Sequence, residues 1–239
     1  MSSTTRIESK AGNVSYESDM KTKFLLLCGA LAGLVFTMIW LITGLTRANY
    51  DPIQHPISSL AIGEFGWTQV INFLITGTLT LGLAFGLRSA LLARGGSKWT
   101  VIWIAAVGIG LFGAGLFVTD PVNGYPVGTP LLPMQPTVGG RLHRLFSALV
   151  FFGLPGAGFT LARLFARNGE RTWASYSMFS ALAFIALFVP TSLGFAQVGT
   201  LPNYAGLLQR ITLLTGLTWM TFLSIHLLKS PSTSQAVGR

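Results

Sequence analysis

Six apolar runs, each close to twenty residues long, constrain this chain more than any other feature. They lie at about 24–45, 68–92, 99–118, 143–166, 173–194 and 207–228. A helix needs roughly 20 apolar residues to cross the hydrocarbon core of a bilayer. Because backbone groups cannot stay unpaired in lipid, such runs are helical. The sequence therefore predicts an all-α, polytopic membrane helix bundle with six transmembrane helices within residues 21–230.

The composition agrees with a membrane protein. Only 10% of the residues are charged, whereas soluble domains carry about 25% charged residues. The net charge of +9 is scattered in short clusters between the apolar runs, which is typical of orientation signals. We therefore expect membrane lipids as partners and no nucleic acid. The single cysteine, Cys28, excludes an intramolecular disulfide and a cysteine-based metal site, and no motif predicts a cofactor.

Lys and Arg residues are divided unequally between the two ends of the predicted helices. Of the 16, twelve lie at the end that holds both termini and the turns at 93–98 and 167–172, and four lie at the other end. The positive-inside rule then predicts a multi-pass protein of the cytoplasmic (inner) membrane with both termini in the cytoplasm. Residues 1–20 and 231–239 are predicted cytoplasmic tails, the first of them disordered because it is polar and lacks periodicity.

The starts of helices 2, 4 and 6 resemble one another. In each, a glycine is followed three residues later by Gln or His: Gly66 and Gln69, Gly140 and His143, Gly206 and Gln209. These matches favour three hairpins, helices 1–2, 3–4 and 5–6, related as parallel repeats about an axis along the membrane normal. Such an axis would gather the three Gln and His side chains at the extracytoplasmic mouth of the bundle.

The predicted extracytoplasmic loops are rich in proline, which fixes φ and favours an ordered cap over flexible links. One of them reads YDPIQHPISSL at residues 50–60. The loops and the helix starts beside them supply the candidate ligand-binding residues. These are His55, Ser58, Asp120, Tyr125, Arg141, His143, Gln209 and Arg210. No catalytic residue is assigned among them.

Several interpretations of this polar group stay open. Arg141, Arg144 and Arg210 lie at helix N termini, where a small anion or a lipid headgroup is favoured. The arginines could instead pair with Asp51 and Asp120 and lock the loops, which is the structural interpretation we favour for them. The main functional hypothesis is a non-enzymatic membrane protein whose mouth binds such a ligand in transport, sensing or envelope maintenance.

Two other functions are compatible with the same residues. His55, His143 and Asp120 could form a His₂–carboxylate metal set with an open position, as in a metal-dependent membrane hydrolase. Ser58 or Ser59 would supply a nucleophile, although an N-cap for the segment SSLAIGEF explains these serines more simply. A scaffold subunit, whose loops dock a partner protein, is the remaining alternative.

Four motifs in order resemble a bacterial and archaeal family of six-helix membrane proteins known as domain of unknown function 998. They are YDPIQHPISSLAIGEFGW, VTDPVNGYPVGTP, GRLHRLFSALVFFGLP and YAGLLQRITLLTG, within residues 25–228. The resemblance implies a six-helix bundle in the cytoplasmic membrane and brings no activity. A looser similarity to membrane hydrolases of the alkaline-ceramidase type would imply Ser, His and Asp near one membrane face. Those proteins have seven helices and a paired-histidine motif, both of which this chain lacks.

Overall fold

The computed structural model describes residues 3–92 and 94–230, and the side chains of 17–91 and 94–230. The described residues contain no strand and form six α-helices. They are α1 Ser3–Thr46, α2 Trp67–Leu92, α3 Lys98–Leu116, α4 Val138–Arg167, α5 Arg171–Phe195 and α6 Ala205–Lys229. Short 3₁₀ helices at Ile57–Ala61 and Leu201–Tyr204 lie in the loops. All six α-helices contain a segment long and apolar enough to span a membrane, which confirms the predicted fold class.

The helix bounds differ from the predicted spans by more than two residues at two places, the starts of α4 and α1. α4 begins at Val138 rather than 143, because the Thr137 hydroxyl caps it by accepting from the Gly140 N–H at 2.9 Å. α1 begins at Ser3, where a disordered tail over 1–20 is predicted. A membrane span supplies the helix nucleus, so each further residue adds a backbone hydrogen bond without a new nucleation cost. The predicted tail at 231–239 lies outside the described residues.

The helices form a closed ring. Each α-helix packs against its neighbours in sequence, and α6 packs back against α1. Glycines allow the close approaches: a Cβ on Gly77 of α2 would lie 2.9 Å from the Gly108 carbonyl oxygen of α3. A Cβ on Gly33 of α1 would lie 3.1 Å from the Leu217 oxygen of α6. This ring order fits three consecutive hairpins, while their relation as repeats stays a prediction.

The two ends of the ring are built differently. We call the end with residues 47–66, 117–137 and 196–204 the loop end, and the end with the short connections at 93–97 and 168–170 the turn end. At the turn end the Glu170 carboxylate binds both Arg94 and the His226 Nε2, each at 3.0 Å. The His226 ring also stacks on Trp173, with centroids 4.2 Å apart. One carboxylate therefore ties both turns to the last helix.

Candidate binding cavity

A cavity of about 370 Å³ lies inside the ring at its loop end. All six helices line it, and its walls are mainly apolar, with Phe36, Phe73, Leu111, Phe151 and Leu213 among them. Small-molecule sites occupy roughly 300–1,000 Å³ and combine apolar walls with a few polar groups. The ring therefore holds a space of the size and character of a ligand site.

Four of the sequence-predicted candidates line this cavity. They are Ser58, Asp120, His143 and Gln209. Gln69, which belongs to the same repeated pattern as His143 and Gln209, is fully buried but does not line it. Its Oε1 instead accepts from the Asn72 side-chain amide at 3.2 Å. The repeat therefore brings two of its three polar side chains to one cavity.

His143 presents a hydrogen-bond acceptor to the cavity. The side chain is 4% exposed, and its Nδ1 lies 2.8 Å from the Phe117 oxygen and 3.1 Å from the Ala114 oxygen. Carbonyl oxygens only accept, so Nδ1 carries the proton, and the Nε2 of the neutral ring is an acceptor. No protein group among the described residues bonds that Nε2. His143 thus satisfies carbonyls at the end of α3 and leaves one ring nitrogen available.

Gln209 presents the complementary group. Its Oε1 accepts from the backbone N–H of Ile57 at 2.8 Å, and the residue is 8% exposed. The Nε2 amide group therefore keeps two N–H donors that have no partner among the described side chains and backbone. This Nε2 is not among the fully buried, unpartnered atoms of the described side chains, and Gln209 lines the cavity. Water or a ligand in the cavity can therefore accept from it.

Asp120 caps α4 rather than pairing with an arginine. Its carboxylate accepts from the Thr137 hydroxyl at 2.6 Å and from the Thr137 N–H at 3.1 Å. A Cβ on Gly140 would overlap this carboxylate, so glycine is required where α4 begins. The negative charge also lies at the positive end of the helix dipole. Asp120 is therefore a structural element of the cavity wall.

Four polar residues of the cavity wall are absent from the predicted set of candidate ligand-binding residues: Thr119, Arg144, Ser147 and Ser192. Of these, only Arg144 was considered, in the anion-binding interpretation of the helix N termini. Arg144 is exposed and has no hydrogen-bond or ion-pair partner within 17–91 and 94–230. Arg144 and Ser147 lie one turn apart on α4, and Phe151 follows one turn later. This i, i+3, i+7 spacing marks one helix face and is the signal that could have placed Arg144 and Ser147 on the same wall.

Arg210, one of the two arginines among the candidate ligand-binding residues, is buried at 5% exposure and holds the 50–56 loop. Its guanidinium donates to the Pro52 oxygen at 2.6 Å and to the His55 oxygen at 3.0 Å, and it also bonds the Tyr50 hydroxyl. No carboxylate pairs with it among the described residues. The predicted pairing of arginines with Asp51 and Asp120 is therefore wrong, because the folded loop directs its carbonyl oxygens at this position.

Aromatic rings complete the surroundings of Arg210. Its guanidinium carbon lies 5.1 Å from the Trp40 ring centroid and 5.6 Å from that of Tyr50, so cation–π attraction contributes where no carboxylate does. Burial raises the pKa of Tyr50 to about 12, against the opposing effect of Arg210. The hydroxyl therefore stays protonated and donates to the Pro56 oxygen at 3.0 Å.

His55 and Tyr125 belong to the loop structure and do not line the cavity. The Nδ1 of His55 accepts from the Asp51 N–H at 2.8 Å. The His55 ring packs on Tyr50 and Tyr125, with centroids 5.5 and 5.0 Å away. Burial lowers the pKa of His55 from its usual 6.5, while the nearby Asp51 charge raises it. A neutral His55 is thus part of the folded loop.

Asn123 joins the three loops. Its side-chain amide donates to the Gln54 oxygen at 2.9 Å and to the Pro202 oxygen at 3.4 Å. Its Oδ1 accepts from the Gln197 side chain. The loop end is therefore an ordered cover over the ring, as the prolines predict.

The structure does not place Arg141 at the cavity or Ser59 at a helix cap. Arg141 is exposed and does not line the cavity. Ser59 does not cap the 3₁₀ helix Ile57–Ala61: Pro56 occupies the cap position, and the buried Ser59 hydroxyl has no partner in the described structure.

The predicted metal set is not assembled either. In the part of the chain whose side chains are described, no group of three or more His, Cys, Asp or Glu could hold a metal ion. His55 lies within the 50–56 loop, Asp120 caps α4, and His143 binds the end of α3. Each of the three therefore has its own structural partners.

These features define a multi-pass membrane protein: a ring of six apolar helices that encloses a mainly apolar cavity with a few polar side chains, beneath ordered loops. The chain belongs to the family described as Protein of unknown function (DUF998), whose model matches residues 30–226. The family resemblance drawn from the four motifs is thereby confirmed. No curated protein and no solved structure matches this chain.

Proposed function

We propose that the cavity binds a ligand with an anionic group, either a lipid headgroup or a small anion, in transport, sensing or envelope maintenance. The observation that carries this proposal is the pair of buried side chains, His143 and Gln209, which keep unpartnered polar atoms in one cavity. Arg144 lies on the same wall and supplies positive charge. A site with a cation, a donor and an acceptor suits a polar, negatively charged group.

Each polar group has a defined task in this proposal. The Arg144 guanidinium holds the anionic oxygens, since charge-assisted hydrogen bonds are roughly twice as strong as neutral ones. The Gln209 amide donates to the same group. The Nε2 of His143 accepts from a hydroxyl on the ligand. A phosphate that carries a glycerol hydroxyl, as in phosphatidylglycerol, offers both kinds of partner.

We further infer that the loop end faces away from the cytoplasm and that the membrane is the cytoplasmic one. The support is the distribution of the 16 Lys and Arg residues in the sequence: twelve lie in or beside the tails and the turns at 93–98 and 167–172, and four lie in or beside the other loops. Short basic connections stay in the cytoplasm. The ligand group would then be held at the extracytoplasmic side of the bilayer.

Cysteine labelling tests this orientation. In a Cys28→Ser background, Met134→Cys places one thiol on an exposed loop-end residue, and Asn168→Cys places one at the exposed turn end. A membrane-impermeant maleimide added to intact cells should label Met134→Cys and reach Asn168→Cys only after lysis. The reverse pattern would overturn the proposed orientation.

Two neighbouring arginines provide a matched test of binding. Arg144 and Arg141 lie one turn apart on α4 and are both exposed, but only Arg144 lines the cavity. Protein extracted gently from phosphatidylglycerol membranes is analysed by native mass spectrometry. Arg144→Ala should lose bound phosphatidylglycerol about tenfold or more, from a charged hydrogen bond of about 1.5–3 kcal/mol. Arg141→Ala should retain it. Equal retention in both variants would contradict the proposal.

A further inference from the structure

We infer that the ligand is a lipid that reaches the cavity sideways from the bilayer, through an opening between α4 and α5. This inference rests on the proposed function and names the source of the ligand. The lining residues of the cavity differ in how exposed they are on the outside of the ring. Residues from α1, α2, α3 and α6 that line it are buried, such as Phe36, Phe73 and Leu213. The exposed helix residues of the lining are Arg144 and Phe152 of α4 and Ser192 of α5.

The lining residues of α4 and α5 lie on the facing sides of these two neighbouring helices. On α5, Phe188, Ser192 and Phe195 are spaced by four and three residues, which places them on one side of the helix. On α4 the exposed lining residues, Arg144 and Phe152, are eight residues apart, which at 1.5 Å per residue is roughly 12 Å along the axis. Phe152 is 63% exposed. Both stretches belong to helices that are long and apolar enough to span a membrane, so in this proposal the opening faces the bilayer.

The seam between these helices closes toward the turn end. A Cβ on Gly158 of α4 would lie 2.9 Å from the Ala181 Cβ of α5, so the helices approach closely there. Farther toward the loop end, Phe151 stacks on Phe188 with ring centroids 4.6 Å apart. Phe188 also packs edge-on against the exposed Phe152, with centroids 6.2 Å apart, so Phe188 is the α5 side chain that fills the seam beside the exposed part of the lining.

The helices beside the opening also differ from the others in their backbone. Pro155 lies inside α4 and Pro190 inside α5, and the other four helices contain no proline. An interior proline removes a helix hydrogen bond and permits bending. Because α4 and α5 can bend at these prolines, they are the two helices best able to move apart, and they flank the opening.

Ordered loops narrow access from the aqueous side to the part of the 117–137 loop where the exposed Leu132 lines the cavity. Arg210 fixes the 50–56 loop over the ring, and Asn123 joins that loop to the other two. Asp120 secures the start of α4 beneath them. An amphiphile would instead place its anionic head beside Arg144, one acyl chain against the buried apolar wall and the rest of the lipid along Phe152 and Phe188. The ligand class is therefore an anionic membrane lipid rather than a water-borne anion.

Photolabelling in vesicles tests this route. The protein is reconstituted in phosphatidylcholine with a small fraction of phosphatidylglycerol that carries an acyl-chain diazirine. Labelling of the buried walls at Phe73 and Leu111 is then quantified by peptide mass spectrometry. Ser192→Trp should fill the opening and reduce wall labelling several-fold, whereas Ser175→Trp, an exposed α5 residue outside the cavity, should leave it unchanged. Phe188→Ala should widen the opening and increase wall labelling.

The outcomes separate this inference from the proposed function. Equal wall labelling in wild type, Ser192→Trp and Phe188→Ala would overturn the lateral route. A second arm measures binding of inorganic phosphate and glycerol phosphate to the detergent-solubilised protein. If these bind in an Arg144-dependent manner while lipid labels only the outer surface, the lipid source is wrong and the proposed function stands. If neither ligand depends on Arg144, both fail.

Discussion

His143 and Gln209 line one cavity from two helices that are not adjacent in the ring, α4 and α6. The imidazole faces it with an acceptor nitrogen, and the amide faces it with two donors. Each residue also makes a structural hydrogen bond with its other polar atom: His143 donates to the Phe117 oxygen at the end of α3, and Gln209 accepts from the Ile57 N–H. One polar atom of each side chain therefore stabilises the fold, and the other is available in the cavity. Substitutions that change only the second atom separate binding from folding.

Gln209→Glu separates the two roles of that side chain. The carboxylate can still accept from the Ile57 N–H but offers no donors and adds negative charge. We expect the Kd for phosphatidylglycerol to rise at least tenfold, because a donor bond worth about 1 kcal/mol becomes a repulsion, while the protein still folds. Gln135→Glu, the same change on an exposed loop residue, is the control. Unchanged affinity in Gln209→Glu would remove this residue from the site.

Arg210→Ala tests the attachment of the 50–56 loop to α6. The substitution deprives the Pro52 and His55 oxygens of their donor and leaves the Tyr50 hydroxyl without the guanidinium. We expect a loss of about 2–4 kcal/mol, since bonds from a charged donor contribute about 1.5–3 kcal/mol each and part of the loss is offset by desolvation. Thermal unfolding in detergent measures it. Arg141→Ala should leave the Tm unchanged, and equal Tm values for both variants would show that Arg210 does not hold the loop.

Gly140→Ala and Gly139→Ala should act in opposite directions. A Cβ at Gly140 would overlap the Asp120 carboxylate and displace the α4 cap, which costs about 1–3 kcal/mol by overpacking. At Gly139 the nearest atoms to a Cβ are the Val118 oxygen at 3.5 Å and the Thr137 hydroxyl at 3.7 Å. Alanine fits there and favours the helix by about 0.5–1 kcal/mol. Thermal unfolding of both variants tests this; a destabilised Gly139→Ala would contradict the described start of α4.

The stability of the loop end should fall in mild acid because of His55. Its pKa is lowered in the folded protein, so the unfolded chain takes up a proton first as the pH drops below 6.5. Stability is therefore fully present above pH 6.5 and is lost as the pH falls through the folded pKa. A proton on Nδ1 would also break the bond from the Asp51 N–H.

His55→Asn isolates this contribution. The Asn oxygen can accept from the Asp51 N–H and does not titrate, and the charged or titratable neighbours Asp51, Tyr50, Tyr125 and Arg210 are retained. Between pH 6.5 and about pH 5, the Tm of the wild type should fall more steeply than that of His55→Asn. Parallel Tm profiles would show that the protonation of His55 does not affect stability.

The membrane topology could be predicted from sequence because a spanning helix has a fixed minimum length, and each apolar run reaches it. The helix-start pattern also placed His143 and Gln209 in a polar group. The partner of Arg210 could not be predicted, because nearby aspartates suggest salt bridges, whereas the turn conformation of 50–56 brings carbonyl oxygens to it. Ser192 and Phe152 were missed for a different reason: a helix that is apolar all round gives no periodic signal of the face it turns to a cavity.

A high-resolution cryo-EM map of the protein in phosphatidylglycerol nanodiscs tests the central claim most directly. The account predicts elongated density that leaves the cavity between α4 and α5, with its head within hydrogen-bond distance of Arg144, Gln209 and the His143 Nε2. A cavity that contains only water, or one filled by the surrounding Phe side chains with α4 and α5 in contact along their whole length, would contradict it.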